Sequence, residues 1–294
     1  MSKIITLSIA ILFTTLLVAQ NPEAKPRILY GAITKDSLTK APYDKWFTTG
    51  YDTYKPNAET VAQLKKLNFK DCTIQIFFGT WCGDSKRETP RFMKLMNEIS
   101  FPVNSIKLIT VGDSDSLYKQ SPQHEEKGLS IFKVPTIIIY KNGTEVNRIV
   151  EFPVNSLEKD LLSIMASQSY SANYHSFPLI AKWLNDGTLA DENISGRSLA
   201  GQLKPLVANE NELNSAGYLI LGQNKTKEAL KIFQANYSLY PESSNIASSL
   251  GEGYLKNTDT KNAVIYLERA LQQNKDPNSI REILNLLYEA KGVK

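Results

Sequence analysis

Apolar positions along the chain change rhythm several times. From Ile4 to Val18 the residues are almost continuously apolar, broken only by Thr6, Ser8, Thr14 and Thr15. Residues 22–57 mix Tyr, Lys, Thr and Pro without a clear period, and no element is predicted there. Val61, Leu64 and Leu67 then recur at three-residue steps, which predicts a short amphipathic helix over Ala58 to Leu67. Thr73 to Phe78 is a β-branched and aromatic run, and Ser85 to Ile99 carries Phe92, Leu95, Met96 and Ile99 at helical spacing, so the order is strand, turn, helix. A second strand is predicted over Ser105 to Val111 and a third over Thr136 to Tyr140. The third turns at Lys141-Asn142-Gly143 into Glu145 to Val150, because Asn and Gly tolerate the positive φ of a tight hairpin. Ser156 to Ala166, with Leu157, Leu161, Leu162 and Met165, closes the unit with a helix. Helices following strands predict an α/β domain.

Beyond it, residues 167–209 predict only a partly helical connector, rich in Ser, Asn and aromatics. From residue 210 the pattern is wholly helical, and an offset of 34 residues aligns the chain with itself: Gly217 with Gly251, Ala229 with Ala263, Phe233 with Leu267, Leu250 with Leu284, Tyr254 with Tyr288. Small and large core positions recurring in register are what stacked helix pairs need, and Pro241 and Pro277 punctuate their ends. In period and pattern residues 210–294 resemble tetratricopeptide repeats, as two repeats and a terminal helix, with Asn236 standing where that family has a small residue.

The apolar stretch at the start follows Lys3, is shorter than the roughly 20 residues of a membrane span, and ends at the small residue Ala19. It reads as a secretory signal over residues 1–19, which predicts a periplasmic or secreted protein with no stable membrane span after cleavage. No cysteine follows it directly, so a lipid-attached start is not expected. The layout expected is then an N-terminal extension at 20–57, an α/β domain at 58–166, the connector, and the helical repeats at 210–294.

A balance of 34 basic against 30 acidic residues, with no long basic run, argues against nucleic acid as partner. Two cysteines and two histidines fit no zinc-site spacing, and neither a metal nor another cofactor is expected. With so few cysteines, disulfides are not the scaffold even in an oxidising compartment, so cysteine chemistry is local.

That chemistry centres on Trp81-Cys82-Gly83-Asp84-Ser85 at the strand-to-helix junction, followed by Pro90, Val134-Pro135-Thr136 and Lys141-Asn142-Gly143. These four separated features, in this order, resemble the thioredoxin-fold proteins. The resemblance implies a central mixed sheet flanked by helices, Cys82 as nucleophile in an active-site turn, Pro90 kinking the next helix, and a cis Val134-Pro135 bond facing Cys82. Physical reasoning agrees that a cysteine at the first turn of a helix faces unpaired N–H groups and the positive end of the dipole, which favours thiolate. Lys86 and Arg87 would add to that effect, and Asp84 would oppose it. The Val134 backbone and Trp81 are the expected client-binding groups, with Pro135 positioning an extended client.

Two positions depart from the family. Ser85 replaces the second active-site cysteine, so the segment is a C-x-x-S that can donate a hydrogen bond to a thiolate but cannot close an internal disulfide. Ile76, six residues before Cys82, stands where many thioredoxins hold a buried acid. Cys72 is no substitute resolver: a strand of about seven residues separates it from Cys82 by ~23 Å, against the ~7 Å that a disulfide tolerates. It reads as a structural thiol. His124 and His175 read as surface and connector residues, and Gly112-Asp113-Ser114-Asp115 as a solvated loop lacking the glycine and terminal glutamate of a calcium hand.

Three functions are compatible with these residues. One is thiol-disulfide exchange with cysteine-containing clients or small thiols, with the repeats docking a client or partner. Another is a non-catalytic adaptor that binds peptides or proteins on the thioredoxin platform and the repeats. The third is a monothiol glutaredoxin-like protein, which Trp81 and the expected export disfavour.

Overall fold

The computed structural model describes residues 28–114 and 117–292. The expected signal at 1–19 and, within the 112–115 loop, Asp115 lie outside them. Five strands form one mixed sheet in the order β1-β3-β2-β4-β5: β1 (Gly31–Ile33), β2 (Cys72–Phe78), β3 (Ile106–Thr110), β4 (Thr136–Lys141) and β5 (Thr144–Val150). β2 runs parallel to β3 and antiparallel to β4, while β1/β3 and β4/β5 are antiparallel. β2 is therefore central, which is why Ile74, Ile76, Phe77 and Phe78 are all buried and the segment reads as nearly continuous apolar residues. Asn142 and Gly143, both at positive φ, make the β4–β5 turn.

Helices α1 (Lys35–Leu38), α2 (Asp44–Thr53), α3 (Ala58–Leu64), α4 (Gly83–Glu98) and α5 (Leu157–Met165) pack with this sheet. Side chains of Asn57 and Ser156 cap α3 and α5 by accepting from N–H groups of the first turn. Residues 28–57, where no period is visible, supply an edge strand and α2. Their core contribution comes from Leu38, Tyr43 and Phe47, scattered over short elements too brief to show a rhythm. α2 lies against α4, and Gly50 makes the approach possible: a Cβ there would fall 2.6 Å from Cγ of Pro90 inside α4.

The connector contains two helices, α6 (Phe177–Asn185) and α7 (Gly196–Leu203), and the remainder forms α8 (Glu210–Gly222), α9 (Thr226–Leu239), α10 (Ser244–Lys256), α11 (Thr260–Gln273) and α12 (Pro277–Lys291). The 34-residue period is visible in contacts. A Cβ on Gly217 would meet the Phe233 ring at 2.4 Å, and one on the aligned Gly251 would meet Leu267 at 2.6 Å, so each helix pair closes on a glycine through the same position. The period slips in α12. Ile283, Leu287 and Ala290 are buried there, whereas Leu284 is only partly covered and Tyr288 is 50% exposed. The pairings of Leu250 with Leu284 and of Tyr254 with Tyr288 therefore fail. Tyr254 stacks on Tyr266 at 5.4 Å, whereas α12, as the last described helix, presents a different stripe to α11. Asn236 is fully buried and its amide donates to Glu210 O at 2.9 Å, tying α9 to the start of α8.

The two halves share a boundary core. The Phe132 and Phe177 rings pack at a tilt with centroids 4.8 Å apart, and Phe132 and Val150 join the cluster that contains Ile180 and Trp183. Gln120 Nε2 donates to Gly222 O at 2.9 Å. The buried Glu212 carboxylate accepts from Ser176 N–H, from Ser176 Oγ at 2.5 Å and from Ala208 N–H at 3.0 Å, fixing the connector to α8.

Candidate functional site

Central β2 ends at Phe78, and Gly79 to Trp81 turn the chain into α4. The turn is pinned from several sides. Leu29 N–H donates to Thr80 Oγ1 at 3.3 Å, Cys82 N–H to Gly79 O at 3.0 Å, and Trp81 Nε1 to Val111 O at 3.0 Å. Gly79 is required by close approach: a Cβ on it would lie 2.5 Å from Cε2 of Trp81. The Trp81 ring faces Tyr118 with centroids 6.2 Å apart.

Cys82 is the N-cap of α4, in extended conformation, and its side chain makes no capping bond. The thiol instead points across the turn and donates to Val134 O at 3.3 Å. The Val134-Pro135 bond is cis. Thus the structure brings together Trp81, Cys82, Val134 and Pro135, with the half-exposed sulfur beside the backbone of the segment before β4. The N–H groups of the first turn of α4 lie behind it, and the dipole of a 16-residue helix favours negative charge at that end. Ser85 is fully buried, and its hydroxyl oxygen accepts from Gly79 N–H at 3.1 Å, which fixes the turn and leaves the hydroxyl proton for donation. Gly83 is exposed, and a Cβ on it would meet nothing within 4 Å.

Asp84, the charge expected to oppose ionisation, is bridged to Arg87 at 2.7 Å, and Arg87 also binds the buried Glu88 at 2.5 Å. Ile76 is fully buried among Ile74, Phe78 and Leu108, so the position holds hydrocarbon on every side. Cys72 begins β2 while Cys82 lies past its end; both are free thiols. The Cys72 thiol is buried, donates to Lys70 O at 3.6 Å, and is pushed to a higher pKa by burial, as suits an inert thiol. His124 and His175 are exposed.

Further ionisable groups lie near the sulfur: Tyr118 and Lys119, which feel its charge, and Lys133 and Glu151 beside them. Lys119, 3% exposed, donates from Nζ to Phe132 O at 2.6 Å and lies 4.5 Å from the centre of the Tyr118 ring. Burial, reinforced by the charge of Lys133, lowers its pKa to about 7. Lys133 pairs with Glu151 at 3.4 Å, and burial raises the Glu151 carboxyl above its usual range against the pull of Lys133. Tyr118 is raised by burial and further by the negative charge of Cys82. Lys133 alone had a visible signal, its place beside the Val134-Pro135 pair; nothing in Tyr118-Lys119-Gln120 marks a buried amine.

Tyr118 also lines a cavity of about 770 Å³, together with Asp113 and, from α8 and α10, Asn211, Asn214, Tyr218, Glu252 and Lys256. One wall is thus the loop after β3 and the other the inner face of the helical half. Among the described residues, no cluster of three His, Cys, Asp or Glu side chains could hold a metal, and no helix is long and apolar enough to cross a membrane.

Comparison with known proteins agrees with this arrangement. The thioredoxin family model matches residues 58–163. Thioredoxin of Staphylococcus saprophyticus is 27% identical over 97 residues, which cover 31% of this chain and 85% of the relative. The match falls on the segment holding β2 to β5, the Cys82 turn and the cis-proline, so residues 58–163 are a thioredoxin domain, joined in this chain to an all-helical C-terminal half.

Proposed function

We propose that this protein is an exported, periplasmic or secreted, thiol-disulfide exchange protein that works through the single cysteine Cys82. The carrying observation is the sulfur at the N-terminus of α4, 3.3 Å from Val134 O beside a cis-proline. The Cys82 thiolate attacks one sulfur of a client disulfide. A Cys82–client disulfide forms as the client bond breaks, and the electron pair leaves on the second client sulfur as thiolate. With Ser85 unable to resolve the mixed disulfide, a thiol from outside attacks it, taking the client sulfur and freeing Cys82. Ser85 donates its hydroxyl proton to the Cys82 thiolate, Trp81 flanks the approach, and the Val134 backbone pairs with an extended client that Pro135 positions. The helical pairs act as a tetratricopeptide-like dock, with the cavity bounded by Tyr118, α8 and α10 as the place where a polypeptide client would lie.

The test is mixed-disulfide formation with an oxidised two-cysteine peptide, read by mass spectrometry under non-reducing conditions. Cys82→Ser should abolish the adduct and Cys72→Ser should leave it; an adduct that survives Cys82→Ser refutes the reading. The cavity also supports an adaptor role, since it offers a polar binding wall that does not include the sulfur. That role is favoured if a peptide bound by the protein is retained by Cys82→Ser and lost on Lys256→Glu.

A further inference from the structure

Lys119 is held more firmly than a surface loop would hold it. After β3 the chain leaves the sheet and returns through a bridge between Gly112 and Tyr118, with Lys119 N–H donating to Gly112 O and Gly112 N–H to Gln120 O, both at 3.0 Å. Gly112 is necessary for that closure, because a Cβ there would lie 2.7 Å from the Tyr30 ring and 2.8 Å from Leu117 O. Lys119 itself takes a positive φ of 54°, which L-residues seldom adopt, and its side chain runs inward. The amine then binds Phe132 O, two residues before the Val134 carbonyl that receives the Cys82 thiol. One short segment, 132–134, is therefore held by the lysine at one end and by the sulfur at the other.

We infer that Lys119 is a positioning residue for Cys82: its ammonium, fixed on the Phe132 carbonyl, favours the thiolate and so sets the ionisation of the sulfur. The inference rests on the exchange reading of Cys82 and adds the group that regulates it. The charged groups facing Lys119 are Lys133, Glu151 and Cys82, with the Tyr118 ring against it. Lys133, which repels Lys119, is paired with Glu151, which attracts it, and the Asp84 carboxylate beyond them is bridged to Arg87. Beside Glu151, the sulfur of Cys82 is the other group facing Lys119 whose negative charge would favour the ammonium. The burial that lowers the lysine pKa places its loss of charge near neutral pH, where a thiol also changes state, so the two titrations are coupled. No electron passes through Lys119; the bonds made and broken remain those of the sulfur exchange.

The experiment measures the alkylation rate of Cys82 by iodoacetamide against pH in a Cys72→Ser chain, beside Lys119→Met and Lys119→Arg in the same background. Lys119→Met should raise the midpoint by about one pH unit, roughly tenfold slower alkylation below it, and Lys119→Arg should restore most of the difference. A folded Lys119→Met chain with an unchanged midpoint overturns the inference. Should that variant not fold, the parent chain carries the test through reciprocity, because coupling between two sites acts equally in both directions. Capping Cys82 with iodoacetamide, a neutral blocker, should then lower the Lys119 midpoint seen by lysine NMR, and an unmoved midpoint overturns it equally. Neither readout uses a client. A coupled midpoint without client adducts would sink the exchange reading alone, and adducts without coupling would sink this one alone.

Discussion

Gly79→Ala tests whether the Cys82 turn is held by the fit between Gly79 and Trp81. The added Cβ would stand 2.5 Å from Cε2, 2.6 Å from Nε1 and 3.0 Å from Cζ2 of the indole, all far inside van der Waals contact. The indole cannot yield without leaving Val111 O, which it binds at 3.0 Å. Overpacking of this kind costs about 1–3 kcal/mol, and a buried carbonyl deprived of its donor about 1–3 kcal/mol more, so the variant should lose roughly 2–6 kcal/mol. Trp81→Leu removes the ring and every atom the Cβ would strike. The double variant should therefore lose less than the sum of the two singles, by about 1–3 kcal/mol. Urea melts followed by circular dichroism give the stabilities, and the alkylation rate of Cys82 reports whether the turn has moved. Additive losses, or a Gly79→Ala protein within about 0.5 kcal/mol of the parent with an unchanged rate, would refute the reasoning.

Two further outcomes follow from buried charges. Lys119 has its pKa lowered to about 7 in the folded chain, so between about pH 7 and the ordinary lysine range near 10.4 the unfolded chain binds more protons and stability rises with pH. Below pH 7 both states are protonated and the full penalty of the buried ammonium remains; Lys119→Met should therefore gain on the parent by a few kcal/mol at pH 6 and lose that advantage by pH 10, and a gap independent of pH would contradict the assignment. Glu212→Ala strips the acceptor from Ser176 and Ala208 and should destabilise the junction of connector and α8 by about 3–5 kcal/mol, seen as faster amide exchange of α6 and α8; unchanged protection there would contradict the clamp.

The central strands and the Cys82 turn were legible because each carries a strong local signal. β2 is buried on both faces where it ends in the apolar run Ile76-Phe77-Phe78, and the Trp81-Cys82-Gly83 turn and the Val134-Pro135 pair are short and specific. The segment at 28–57 was opaque for the opposite reason: a three-residue strand and a four-residue helix are shorter than the periods by which such elements are recognised. The 34-residue repeat showed where helices begin but misplaced Leu284 and Tyr288, since a terminal helix buries the stripe that its single neighbour selects. Lys119 left no trace, because burial of a lysine is decided by the closure of the loop at Gly112 and not by the residues beside it.

The shared Phe132 has a consequence for dissection of the chain. Its ring belongs to the core of the helical half, while its carbonyl holds Lys119 and its near neighbour Val134 holds the thiol. Cutting the protein after α5 would strand the Phe132 and Val150 side chains in water and remove the Gly222 carbonyl on which Gln120 rests. An excised fragment of residues 58–163 would thus keep every residue of the thioredoxin match and lose packing behind the Phe132–Val134 segment on which its sulfur rests. Conversely, grafting other helices onto this domain would need a socket for the Phe132 ring before any question of client choice arose.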